Sequence, residues 1–98
     1  MSRCEFTPDA RADLQQIHDF IAQDSPRNAL RFIDRLEEQC YRLADHPYIG
    51  VGRSDFGPTH RSFTVPGTRY IVIYRPLDEG VEIIHVRQGS QDLGRLFE

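Results

Sequence analysis

Arginine is the residue type with the most chemistry to offer in this sequence. All twelve basic side chains are Arg and none is Lys. A guanidinium is a fixed fork of donors that grips phosphate or carboxylate through two parallel hydrogen bonds. Arg27, Arg31 and Arg35 recur at steps of four and form a ridge on one predicted helix. Arg61 and Arg87 fall in predicted strands near the two ends of a β-meander, with Arg53, Arg69 and Arg75 at loop or strand termini. A sheet face carrying Arg61 and Arg87 would suit a phosphate, and equally the carboxylates of an acidic partner. The plain alternatives are a solvated helix face, with Glu38 and Arg42 at favourable pair spacing beside it, and a coding bias toward arginine. The formal net charge of −3 favours a protein partner. A chain that neutralises phosphates normally carries a basic field, so direct nucleic-acid binding is not expected.

Other chemistries find little support. His18, His46, His60 and His85 have no ligand spacing and no companion cysteine pair, whereas a zinc site needs about four convergent ligands. His85 alternates with apolar neighbours, as a satisfied sheet histidine does. Cys4 and Cys40 sit among apolar positions and read as buried thiols. No nucleophile-elbow pattern occurs. The expectation is no catalytic residue, no metal and no cofactor.

The elements that must position the arginines are legible. Ninety-eight residues suit one domain, 1–98. No run approaches the ~18 apolar residues of a membrane span, and MSRCEF lacks a signal-peptide pattern, so the cytoplasm is expected. Arg3 to Phe6 alternates polar and apolar, as a half-buried strand does. Thr7-Pro8 and Ser25-Pro26 each read as an N-cap followed by proline at the first helical position. The helices predicted from them run from Pro8 to about Gln23 and from Pro26 to about Asp45. The first buries Ala10, Leu14, Ile17 and Ile21, widened by Phe20. The second buries Ala29, Phe32, Ile33, Leu36, Cys40, Leu43 and Ala44. Tyr48 to Thr59 has three Gly and no period and reads as a loop, pinned to the core by Tyr48, Ile49 and Phe56. Three strands follow, separated by Pro66-Gly67 and by Asp78-Glu79-Gly80, and the last two, rich in Ile and Val, are central. The order β-α-α-β-β-β predicts an α+β two-layer domain, a helix hairpin on a mainly antiparallel sheet.

Five motifs in order sharpen this reading. They are Thr7-Pro8-x-Ala10-x-x-Asp13-Leu14-x-x-Ile17, Ala29-x-x-Phe32-Ile33, His46-Pro47-x-x-Gly50, Arg61-Ser62-Phe63 and Tyr70-x-Val72-x-Tyr74-Arg75. Together, from about Phe6 to Leu93, they resemble the RelE/ParE superfamily of type II toxin–antitoxin toxins. The resemblance implies a toxin held inactive by a cognate antitoxin, ParD-like or similar, in a hetero-oligomeric complex. RelE-like members are ribosome-dependent mRNA endoribonucleases with a basic constellation and a late His or Tyr. ParE-like members inhibit DNA gyrase by binding it. Arg61 matches the superfamily's phosphate-binding arginine, with Arg87 a second. Where the nucleases carry His or Tyr, this chain reads Gln88-Gly89-Ser90-Gln91, and an amide exchanges no proton near pH 7. Gly89 and Asp92 resemble the ParE-type ending, although Gln88 and Gln91 stand where that ending commonly has His and Arg. The expectation is therefore a ParE-like gyrase inhibitor acting through partner-binding arginines (Arg27, Arg31, Arg35, Arg61, Arg75 and Arg87). The alternatives are a RelE-like mRNA endoribonuclease and a toxin-like module that has lost activity.

Overall fold

Two proline-led caps start the helices. The Thr7 and Ser25 side chains accept the backbone N–H groups of Ala10 (3.0 Å) and Asn28 (3.2 Å), and Pro8 and Pro26 occupy positions where a missing N–H is harmless. In the computed structural model, which describes residues 2–90 and 92–98, α1 spans Pro8–Ala22 and α2 spans Pro26–Asp45. Five strands form one sheet: β1 Arg3–Phe6, β2 Val51–Gly52, β3 Arg61–Thr64, β4 Tyr70–Leu77 and β5 Gly80–Gln88. Their spatial order is β1-β5-β4-β3-β2. β1 runs parallel to β5 and every other pair is antiparallel. The Ile/Val-rich strands β4 and β5 are thus inside the sheet, as their near-continuous apolar runs predict.

The helix hairpin packs on one face of this sheet. Leu36, Cys40 and Leu43 of α2 meet Val72 and Tyr74 of β4 and Val81 and Ile83 of β5, all without solvent exposure. Ala10, Leu14 and Ile17 bring α1 into the same core, while Ile21, Phe32 and Ile33 pack against its margin. Both cysteines are free thiols. Burial pushes the Cys4 thiol up to about 11 and raises Cys40 further, which removes thiolate reactivity. Gly80 opens β5 at φ +138, a backbone that side chains rarely adopt, and a Cβ there would collide with the Arg3 backbone.

Several details differ from expectation. Val51–Gly52, inside the predicted loop, pairs with β3 and adds a fifth strand. Tyr48 and Ile49 do not pin this segment; both are exposed, and Phe56 is buried instead on the reverse face of the sheet. Phe20 is 71% exposed rather than part of the α1 core face. The reverse face also carries an element with no period to betray it, a 3₁₀ turn at Leu93–Phe97. There Leu93 joins Phe56 and Ile73 in a second small core, and Phe97 stacks on Phe56 with ring centroids 4.8 Å apart.

Leu36 is the clearest probe of this packing, because it is wholly buried between α2 and the sheet. Leu36→Ala should lower unfolding free energy by about 2 to 5 kcal/mol in urea titrations. A loss of a few tenths would contradict the packing.

Candidate partner-binding surfaces

β1 ends at Phe6 opposite Ile83, but β5 continues to Gln88. Five residues of β5 therefore lack a strand on that side, and α1 supplies substitutes. The Thr7 N–H donates to the Ile83 carbonyl (3.0 Å) and the Thr7 hydroxyl donates to that of Ile84 (2.9 Å). Nearly two turns further on, the buried Asp13 carboxylate accepts the Val86 N–H at 3.0 Å. Its Oδ2 also lies 2.9 Å from His85 Nδ1. Because Oδ2 acts as an acceptor here, Nδ1 carries the imidazole proton.

Arg87 completes the cluster, with Nε 3.1 Å from Asp13 Oδ1. This is an ion pair without a directed hydrogen bond, since the N–H misses the oxygen. A bulge at Ile84 brings these groups together. Ile73 pairs with His85 and Tyr74 with Ile83, so the extra residue lets Ile83 and Val86 share the core face while His85 turns away from it. His85 is covered by the edge of Phe97 at 6.0 Å. On the same face, burial and the nearby Arg75 hold the His60 imidazole below its ordinary value, opposed by Glu82.

The sheet arginines do not converge. Arg61 donates from Nε to the Gly50 carbonyl (3.1 Å) and from Nη2 to that of Tyr48 (3.2 Å). Arg75 pairs across strands with Glu82 at 2.8 Å. Arg87 belongs to Asp13, at the far end of β5. The joint Arg61–Arg87 phosphate face considered from the sequence is not assembled, because the two residues take opposite parities on strands separated by β4. On α2, Arg27, Arg31 and Arg35 are exposed as a ridge, and Arg35 reaches across to the Pro66 carbonyl in the β3–β4 turn. Arg27 and Arg31 make no side-chain hydrogen bond or ion pair among the described residues. No group of three or more His, Cys, Asp or Glu arranged for a metal occurs among the described residues, and no helix is long and apolar enough to cross a membrane.

Sequence reasoning passed over Asp13 as a polar residue in a motif, although it is buried on an otherwise apolar face. Its place at i−4 from Ile17 and i+3 from Ala10 was the available signal. Gln91 lies outside the described residues. Gln88, the position read against nuclease chemistry, ends β5 beside a shallow groove lined by Asp13, Ile17, Phe20, Tyr70 and Arg87.

The sequence model of the ParE toxin of the type II toxin–antitoxin system parDE matches residues 4–93. The chain belongs to the ParE toxin family. A solved structure described as the chromosomal ParDE toxin–antitoxin system from P. aeruginosa is similar, with 25% identity and a TM-score of 0.74. That match covers 90% of this chain and 96% of the other. No curated protein matches. For this ParE-family toxin, as for its structural neighbour, an antitoxin is the expected partner.

The Asp13 cluster yields a stability test. Asp13→Ala strands the Val86 N–H, His85 and Arg87 together, and removing one partner of a buried charge pair costs about 3 to 5 kcal/mol. The measurement is urea unfolding at pH 7. A cost under 1 kcal/mol would mean that the cluster does not tie α1 to β5.

Proposed function

We propose that this ParE-family toxin acts in the cytoplasm as a single domain that inhibits DNA gyrase by binding it, without catalysis, and that a co-encoded antitoxin neutralises it. The observation that carries the choice over mRNA cleavage is the dispersal of the sheet arginines. Arg61 is tied to loop carbonyls, Arg75 to Glu82 and Arg87 to Asp13, so no two of them offer a shared phosphate cradle. Proton transfer is poorly served as well. Gln88 stands at the late position, and His85, three residues earlier on the strand, is buried with its Nδ1 on Asp13. Inhibition through protein contact needs neither group.

The antitoxin surface in this reading is α2. Arg27 and Arg31 are exposed without a side-chain partner among the described residues, and Leu30 between them is 60% exposed. An acidic segment that folds on binding would place apolar anchors against the helices and carboxylates against the arginines. Such rim charges mainly steer association, while apolar anchors set affinity.

Two measurements test this. Purified toxin should inhibit gyrase supercoiling in proportion to dose, and primer extension on ribosome-bound message should show no codon-specific stops after induction. Stops that vanish with Arg61→Ala would turn the assignment to an mRNA endoribonuclease. For the antitoxin, the double variant Arg27→Glu and Arg31→Glu should slow association roughly tenfold at low salt and flatten its salt dependence. Dissociation should barely change. An unaltered association rate would move the antitoxin off this ridge.

A further inference from the structure

The 3₁₀ turn at Leu93–Phe97 is the most loosely fastened element of the fold. Among the described residues, no hydrogen bond or ion pair joins residues 92–98 to the rest of the chain, and the Asp92–Arg95 pair (3.4 Å) stays within the segment. Apolar contact alone holds it, with Leu93, Leu96 and Phe97 against Phe56, Ile71 and Ile73. Elements fastened in this way open at the low end of a protein's range of local stabilities. Phe97 nonetheless covers two titratable rings. It stacks on Phe56 and meets His60 and His85 at 87° and 86°, with centroids 5.4 and 6.0 Å away. The two histidines are not equivalent. His85 has the buried Asp13 carboxylate at its Nδ1, a counter-charge ready for a proton. His60 Nδ1 is buried with no hydrogen-bond partner among the described residues. Its ring lies against the Gly57 backbone, where a Cβ would collide with the imidazole.

We infer that this turn is an acid-released strap: it stays docked while the His60 imidazole is neutral and lifts from the sheet when that imidazole takes a proton. The charges around His60 set the sign. β4 contributes Arg75, and β5 contributes Glu82, which Arg75 already engages at 2.8 Å. In the loop before β3, Arg53 is paired with Asp55 at 2.9 Å. The neighbouring Arg61 donates to the Gly50 and Tyr48 carbonyls, and His85 is held by Asp13. The strap itself brings Arg95, paired with Asp92, and an exposed Glu98. No carboxylate forms an ion pair with His60 among the described residues.

A proton on His60 is therefore a largely covered charge without a partner, which is costly to keep. Burial and Arg75 accordingly hold the imidazole below its ordinary value, with Glu82 opposing them. A histidine depressed in this way favours the docked state while both states are neutral. That preference fades as pH falls below the ordinary value of about 6.5 and is lost as pH passes the depressed one. The strap is the element that yields. The loop before β3 is tied by backbone hydrogen bonds, Arg53 N–H to the His60 carbonyl (2.8 Å) and Phe56 N–H to the Arg53 carbonyl (3.0 Å). β4 and β5 lie inside the sheet. Release bares Phe56, Ile71 and Ile73 and leaves the core beneath the helices untouched, so the opening is local.

The test is NMR of the whole chain titrated from about pH 7.5 to 5, the range in which histidine changes charge. Phe97 ring protons, shifted by the stacked Phe56, report docking, and imidazole resonances report each histidine. Phe97 should move to free-chain shifts as His60 titrates, while the Leu36 and Val72 signals of the main core stay in place. Docking and protonation are reciprocal, so Phe97→Ala should raise the His60 midpoint toward that of an exposed histidine. Each unit of that rise corresponds to a tenfold easier opening once His60 is charged. His60→Gln should keep Phe97 docked across the range; should that variant not fold, the Phe97→Ala arm decides alone. A Phe97 signal that stays put while His60 titrates overturns the proposal. So does a parent His60 midpoint at or above the exposed value, as a cation held on the Phe97 ring would give, or a midpoint that Phe97→Ala leaves unmoved. Core signals lost together with the strap, or a pH response that survives in folded His60→Gln, overturn it as well.

Discussion

An unpaired length of sheet edge sets the terms for this fold. β1 covers only four residues of β5, and the remaining N–H and C=O groups on that side must be satisfied or exposed. α1 answers with side chains in place of a strand, Thr7 toward the Ile84 carbonyl and Asp13 toward the Val86 N–H. That arrangement fixes where α1 lies, and the α1 contacts with α2 then fix the hairpin over the core. It also explains why a carboxylate is buried at Asp13: a backbone N–H and an imidazole N–H donate to it and the Arg87 charge lies against it. The bulge at Ile84 belongs to the same solution, since without the extra residue Val86 would leave the core face.

Arginine serves this chain largely as internal bracing. Arg35 ties α2 to the β3–β4 turn, Arg61 holds the segment before β2, and Arg75 and Arg87 pair with Glu82 and Asp13. A planar fork suits this work, because one side chain can reach two carbonyls in a fixed geometry, as Arg61 does. Consequently a negative net charge coexists with an arginine-rich surface, and the guanidinium groups left for partners include Arg27 and Arg31 on the outer face of α2.

The helices were readable because their signals are local. Thr7-Pro8 and Ser25-Pro26 carry their caps in adjacent residues, and the α2 stripe from Ala29 to Ala44 repeats through about four turns of helix. The central strands β4 and β5 were readable from composition. What escaped depends on residues far apart in sequence. β2 exists because Arg61 and Tyr74 grip its approach, which no local pattern encodes. Tyr48 and Ile49 looked like core by type, yet the Gly50 contact with Tyr74 turns them outward. The five-residue turn at Leu93–Phe97 is too short to show a period. The arginines were correctly singled out by type, but which of them remain free could be seen only once Asp13, Glu82 and the loop carbonyls were in place.

The parallel pairing of β1 with β5 bears on when the toxin can exist at all. Arg3 to Phe6 pair with Gly80 to Ile83, and the Thr7–Ile84 and Asp13–His85 bonds span 77 and 72 residues. Contacts of such separation make folding slow, because the loop must close before they form. A chain interrupted before Gly80 therefore leaves β1 without its parallel partner and α1 without an edge to clasp, so neither end of the toxin can take its native place ahead of the other.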